Sequence, residues 1–253
     1  MTTQKVILHI PHSSHTIPLF DGFIISKEAI EKELLKLTDL YTDDLFYSEA
    51  DEAIIADFSR IFCDPERFPD DAEEVMAQFG MGVLYEKSDD GEVIRKVTPE
   101  LREKILREYY HKHHQKFNSA VNEQLQFFET ALIIDCHSYP SMPLKRDLDK
   151  TPERPDFNIG TDSFHTPQHL IDISVEFFNK EGYSLGIDWP YKGAIVPLQH
   201  YRTNKQVQSI MLEINRALYM NEETGEKTAR YSETKKITSE YIQVIKNSLN
   251  RKY

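Results

Sequence analysis

Covalent staples are all but absent from this chain of 253 residues, which has two cysteines, Cys63 and Cys136. They are too few for a disulfide framework and lack the spacing of a zinc knuckle, so both are expected to be reduced and buried. Positive charge is also short: 30 Lys and Arg stand against 42 Asp and Glu, a formal net charge of −12. That deficit excludes a nonspecific nucleic-acid surface, which needs clustered basic groups to displace counterions. No basic segment leading into an apolar run opens the sequence, and no stretch of about 18 apolar residues occurs. Export by a standard signal and membrane spanning are thereby disfavoured, and the cytoplasm is the expected location. Repeats and low-complexity linkers are missing too. What remains is 40% hydrophobic residues, enough at this length for one large core, and a single domain over 1–253 with a small-molecule partner is expected.

Apolar runs and their punctuation predict alternating strands and helices. Residues 6–10 read as a strand, 26–37 as a helix with Ser26 as N-cap, and 43–50 as a second helical piece. Further apolar runs lie at 53–56 and 61–63, before the turn signal "DPERFPDD". Thr98 caps a long amphipathic helix over 99–129, with Pro99 at the first helical position, where its missing N–H is not needed. The run 131–134 is continuous in the manner of a strand covered on both faces. A helix over 167–180 and the strand "VQSIMLEIN" follow, with Gly182 and Gly186 marking turns. This order predicts an α/β fold, a mostly parallel central sheet with helices on both faces.

Polar residues gather where the apolar runs stop. "VILHIPHSSH" places His9, His12 and His15 around a proline, and "ALIIDCHSYP" places Asp135, His137 and Ser138 just past its apolar run. Arg60 and Arg67 follow the 53–56 run, and Glu213 ends the last strand. Open α/β sheets bind ligands at such carboxyl ends. Two imidazoles and one carboxylate make a catalytic zinc site with an open fourth position, and a further Glu can take a proton from water. One Arg can stabilise an oxyanion and another can hold a substrate carboxylate through paired hydrogen bonds.

The ordered motifs "PHSS", "TD" at 38–39, "SRIFCDPER", "DCHS", "PDFNIGT" and "SIMLEINRALYM" resemble the N-formylglutamate amidohydrolase family over most of the chain. The resemblance implies a zinc-exopeptidase-like, phosphorylase/hydrolase-like α/β fold. It also implies zinc-dependent hydrolysis of the amide bond of an N-acyl amino acid. On the matching positions it implies His12 and His137 as metal ligands and Glu213 as general base. A more distant similarity to carboxypeptidases and to the aspartoacylase and succinylglutamate desuccinylase group aligns Arg60 with the carbonyl-polarising arginine. Arg67 then aligns with the arginine that binds the substrate carboxylate. Those relatives carry "DLNR" where this chain has "DPER". Glu66 in place of Asn is therefore expected to neutralise Arg67 in part and weaken a preference for acidic substrates.

For the third ligand, Asp39 matches the family pattern, with His15 and Asp43 as alternatives. "YYHKHHQKF" reads as surface or helix-packing histidines, with His111 and His114 on one face and His113 on another; His114 matches a family histidine. "KGAIVPLQHY" reads as a substrate-side loop, with Gly193 allowing close backbone approach and His200 as a contact. The alternative to an enzyme is a catalytically inactive member of the family that binds or senses a small molecule. Retention of both histidines and Glu213 favours the enzyme.

Overall fold

The computed structural model describes residues 4–249. Six strands form one sheet in the order β2-β1-β3-β6-β4-β5. They are β1 (Ile7–Ile10), β2 (Glu52–Ile55), β3 (Ala131–Tyr139), β4 (Phe157–Gly160), β5 (Leu185–Ile187) and β6 (Val207–Asn215). The β2, β1, β3 and β6 strands run parallel, whereas β4 pairs with β6 antiparallel and carries β5 along in its own direction. The sheet is thus mixed and mostly parallel. Among the described residues no helix is long and apolar enough to cross a membrane.

Capping residues start the helices where the sequence signals stood. Ser26 accepts from Ala29 N at 3.3 Å to open α1 (Lys27–Leu37), and Thr98 accepts from Leu101 N at 3.2 Å to open α3 (Pro99–Ile105). The expected single helix over 99–129 is interrupted by one π-helical turn at Leu106–Tyr110 before α4 (His111–Phe127). A π turn inserts one residue into the helical phase. The face of α4 that meets the sheet carries His113, Phe117, Ala120 and Val121, while His111 is exposed.

Three sequence expectations fail locally. Only Thr42–Leu45 of the expected 43–50 helix forms, as α2. Beyond it Ser48 donates to Asp51 at 2.6 Å and Asp51 accepts from Val6 N at 2.9 Å, side-chain bonds that serve a turn instead of a helix. The 61–63 run is a buried turn, closed by Phe62 N and Cys63 N on Ser59 O, so its apolarity reports burial and not a strand. Gly186 lies inside β5, whereas Gly182, at φ 78°, does end α5 (Gln168–Glu181). The last helix, α6 (Tyr231–Ser248), has no counterpart in the sequence expectation.

Period-two geometry divides the core between the two sheet faces. Val6, Leu8, Ile10, Leu132, Ile134, Cys136, Ile210, Leu212 and Ile214 pack with residues of α5 and α6 on one face. Ile7, Ala131, Ile133 and Val207 pack with Phe117, Ala120 and Val121 of α4 on the other. Both cysteines are free and buried. Phe157 is fully buried and stacks on Phe178 with ring centroids 4.5 Å apart, edge-on to Tyr183. Phe157→Ala is expected to destabilise the chain by about 3–5 kcal/mol, read as a lower denaturant midpoint at unchanged slope.

Candidate functional site

On the α4 face the strands begin apolar and end polar. Ile7 is followed two residues later by His9, and Ile133 by Asp135 and then His137, while Glu213 occupies the same face of β6. Pairing in register sets His9 beside Asp135 and His137 beside Glu213. His12 lies just past the end of β1, and its carbonyl accepts Asp39 N at 3.0 Å, which pins the segment after α1 against it. Asp64 and Glu66 arrive from the turn that follows β2.

The imidazoles are oriented by carboxylates on their outer nitrogens. His12 Nε2 donates to Asp64 Oδ1 at 2.8 Å, and His137 Nε2 faces Asp135 Oδ1 and Glu66 Oε2, both at 3.1 Å. A carboxylate only accepts, so in a neutral ring these bonds favour the proton on Nε2, with Nδ1 turned toward Asp39 and the space between the rings. The two Nδ1 atoms are 3.3 Å apart, and Asp39 Oδ2 lies 3.1 Å from that of His137 and 3.8 Å from that of His12. Without a metal a protonated His137 donates to Asp39 there; with both rings neutral and protonated on Nε2, the two Nδ1 lone pairs and Asp39 Oδ2 would face one point. A tetrahedral ion with bonds of about 2.1 Å spaces its ligands about 3.4 Å apart, the scale of this triangle. Asp39 keeps its orientation by accepting from Arg216 Nη2 at 2.8 Å and from Ser138 N at 3.2 Å.

Two groups of metal-ligating atoms also meet on the outer side of the rings, His12 with Glu66 and His137, and His9 with Glu66 and Asp135. On that side His12 Nε2 already holds Asp64, His137 Nε2 holds Asp135 and Glu66, and His9 turns its Nδ1 to Asp135. On the Nδ1 side of His12 and His137 the facing carboxylate is Asp39.

Charge around the site favours a cation. Asp39, Asp64, Glu66, Asp135 and Glu213 crowd the two imidazoles, against the guanidinium groups of Arg60, Arg67 and Arg216. Burial works against ionisation of Asp39, yet the bonds from His12 and His137 and the Arg216 charge hold its carboxyl well below the usual range. Burial likewise opposes a charged His137, but Glu66, Asp135 and Asp39 raise its pKa well above normal. Glu213 behaves in the opposite way. Burial, reinforced by Asp39 and Asp135 and only partly offset by His137 and Arg216, pushes it up to about 8, and its Oε2 is buried without a hydrogen-bond partner.

The arginines lie one layer out. Arg60 Nε and Nη2 bond Asp64 Oδ2 at 3.2 and 3.0 Å, and Nε also reaches Tyr85 Oη at 3.1 Å. Arg67 Nε stands 3.8 Å from Asp64 and 3.9 Å from Glu74, and is buried with no hydrogen bond. Glu66 turns away from Arg67 toward the histidines, so the expected local neutralisation of Arg67 by Glu66 does not occur.

His15 and Asp43, the alternative third ligands, are both exposed. His200 bonds Asn122 at 3.0 Å instead of facing this cluster. His114 bonds the Pro65 carbonyl at 2.8 Å, beside Glu66. Close approach in the 192–201 loop falls on the other partner: a Cβ at Gly160 would strike the Gly193 carbonyl, while Gly193 itself needs its freedom for φ 95°. Sequence reasoning gave no site role to Asp64, Asp135, Arg216 or His113. Asp135 was marked by period two with His137, and His113 by its i, i+4 relation to Phe117 and Val121. For Asp64 and Arg216 the local sequence carries no such signal, since their partners lie far away in the chain.

A family model described as N-formylglutamate amidohydrolase matches residues 4–220. Among solved structures, the chain is similar to the N-formylglutamate amidohydrolase from Ralstonia eutropha JMP134. The TM-score is 0.87 at 22% identity, over 99% of this chain and 96% of that one. It is also similar to gene product Atu2144 from Agrobacterium tumefaciens, with a TM-score of 0.69 at 16% identity over 98% and 91% of the two chains. At these identities the structural likeness is one of fold. Comparison with curated proteins gives no match.

Proposed function

The chain belongs to the N-formylglutamate amidohydrolase family, and from that premise we propose that it hydrolyses the amide bond of an N-acyl amino acid of the N-formylglutamate type, using zinc held by His12, Asp39 and His137. The observation that carries this reading is the triangle of His12 Nδ1, His137 Nδ1 and Asp39 Oδ2, with Glu213 on the neighbouring strand. Both imidazoles stand together with Glu213, whose Oε2 has no hydrogen-bond partner, which speaks against the non-catalytic alternative. Zinc in that triangle would serve as a Lewis acid toward water and the scissile carbonyl.

Glu213 is suited to proton transfer. Its Oε2 has no bond to break before accepting a proton from the attacking water, a bound cation beside it would favour the ionised form that accepts, and burial, which raises its pKa in the metal-free chain, favours passing that proton on to the departing amine. As the C–N bond breaks, the acyl carbon keeps the water oxygen and leaves as a carboxylic acid. The nitrogen leaves as the amine of the amino acid. Arg60 Nε and Nη2 are committed to Asp64 and Tyr85, so Nη1 is the atom assigned to the developing oxyanion. Arg67, whose Nε stands 3.8 and 3.9 Å from the Asp64 and Glu74 carboxylates and makes no hydrogen bond, is assigned to the substrate carboxylate.

Hydrolysis of N-formyl, N-acetyl and N-succinyl amino acids by the zinc-loaded protein, each compared with chelator-treated protein, tests this function. Release of free amine that requires metal is the expected result. No turnover of any member would overturn the substrate class. Arg67→Ala is expected to raise KM for carboxylate-bearing substrates on the order of 10–100-fold, the worth of a charged hydrogen-bonded anchor. Carboxylate-free amides should be little affected. Equal losses on both kinds of substrate would assign Arg67 to holding Asp64 in place.

A further inference from the structure

A line of hydrogen-bonding side chains runs from α4 through the sheet to His137. His113 Nε2 meets His9 Nε2 at 2.9 Å, His9 Nδ1 meets Asp135 Oδ1 at 3.1 Å, and the same Asp135 oxygen faces His137 Nε2 at 3.1 Å. Every member is buried, and His9 is stacked flat on Phe117 with ring centroids 4.5 Å apart. The other Asp135 oxygen accepts from Ile195 N at 3.2 Å. Glu66 joins from the side, with Oε1 3.5 Å from His9 Nδ1 and Oε2 3.1 Å from His137 Nε2. Nothing in the proposed reaction uses His9 or His113.

We infer that His9 and His113 are positioning residues: they hold Asp135 and Glu66 so that His137 keeps its proton on Nε2 and offers Nδ1 to the metal. The inference rests on the metal reading above. Both carboxylates face His9 and His137, with Glu66 Oε2 also 3.8 Å from His12 Nε2, and of these imidazoles only His9 stands outside the proposed metal site. With His9 gone, the buried Asp135 and the part-buried Glu66 would both have His137 Nε2 as their nearest imidazole. Like charges so placed repel, and the acceptor position that fixes the ring would be lost or shared. His113 enters because a ring nitrogen buried at His9 Nε2 needs a partner. The Asp135 carboxylate requires that His9 Nδ1 be the donor, so a neutral His9 accepts at Nε2 from His113 Nε2, and that contact aims Nδ1 at Asp135. Outer partners of ligating histidines fix tautomer and ring orientation, and losing one typically weakens metal binding 10–100-fold.

The experiment measures zinc Kd by chelator competition, zinc per chain, and the melting temperature of metal-free protein, for wild type, His9→Leu, His113→Leu and His113→Gln. Leucine fills the space without a donor or acceptor; glutamine restores a polar end to the contact. The expected result is zinc binding about tenfold weaker in both leucine variants and recovered to within about threefold in His113→Gln. Unchanged Kd in the leucine variants overturns the inference. So does a loss of Kd that glutamine fails to recover. Lower melting temperatures with unaltered Kd would assign the residues to packing alone, also against it. Two zinc ions per wild-type chain falling to one in His9→Leu would make His9, Glu66 and Asp135 a metal site, and would overturn the positioning role. A wild-type chain that retains no zinc overturns the metal reading itself, which separates that failure from the others. If His9→Leu does not fold, the two His113 variants decide.

Discussion

Glu213→Gln is expected to retain zinc and most of its affinity for substrate while kcat falls by about 10²–10⁴-fold, the range for loss of a positioned general base. Glutamine has nearly the shape of glutamate and leaves the β3·β6 pairing with His137 untouched, so the metal triangle should survive. What it cannot do is accept the water proton. Single-turnover rates at saturating substrate, with zinc content measured on the same samples, provide the check. A variant with unchanged kcat where chemistry limits the rate would remove Glu213 from the mechanism. Metal-free stability gives a second readout with a definite sign. The Glu213 carboxyl titrates at about 8 in the folded chain, above the ordinary 4.5, chiefly because it is buried. Its contribution is therefore fully present below about pH 4.5 and lost as pH rises through 8. Metal-free Glu213→Gln should gain on wild type across that window, and a gain that stays constant from acid to pH 8 would contradict the burial of an ionisable group there.

The parts of the fold legible in the sequence are those in which one strand or one helix declares its own environment. The continuous apolar run of β3 could only be a strand covered on both faces, and Ser26 and Thr98 cap the helices they were expected to cap. The antiparallel β4 was not legible, because direction is decided by what a strand pairs with across long sequence separation, and Phe157–Gly160 is only four residues long. The π turn at Leu106–Tyr110 was hidden for a different reason. Every residue of "LREYY" accepts helical geometry, and only the inward packing of both Ile105 and Tyr110, five positions apart, reveals the extra residue.

At the site, legibility divides along the same line. His12, His137 and Glu213 were visible as polar residues at or just past the ends of apolar runs, a purely local signal. The groups that orient them were not. Asp64 reaches His12 across 52 positions and Arg216 reaches Asp39 across 177, so neither relation leaves a spacing to read. Glu66 shows the hazard of the reverse inference. Adjacency to Arg67 in sequence suggested that the two charges cancel, yet the turn sends the two side chains to different partners, and the chain neighbour is not the electrostatic neighbour.

His12→Ala and His137→Ala are each expected to abolish stoichiometric zinc, with losses in affinity beyond the 10–100-fold typical of an outer partner. A three-ligand site that drops one imidazole keeps too few bonds to hold the ion against water. Folding should survive, because both side chains sit past the apolar part of their strands and neither belongs to the clusters that pack β1 and β3 against the helices. The third ligand is decided by a pair of variants. Asp39→Asn should lose zinc as the histidine variants do, since it removes the charge facing both Nδ1 atoms and leaves Arg216 without its carboxylate. Glu66→Gln should keep one zinc per chain with at most a moderate loss of affinity, because Glu66 meets His137 on the nitrogen already facing Asp135. Zinc per chain after dialysis, with far-ultraviolet circular dichroism to verify the fold, separates the two. Loss of zinc in Glu66→Gln together with its retention in Asp39→Asn would move the ion to the outer side of the rings, where Glu66 and the Nε2 atoms would hold it instead.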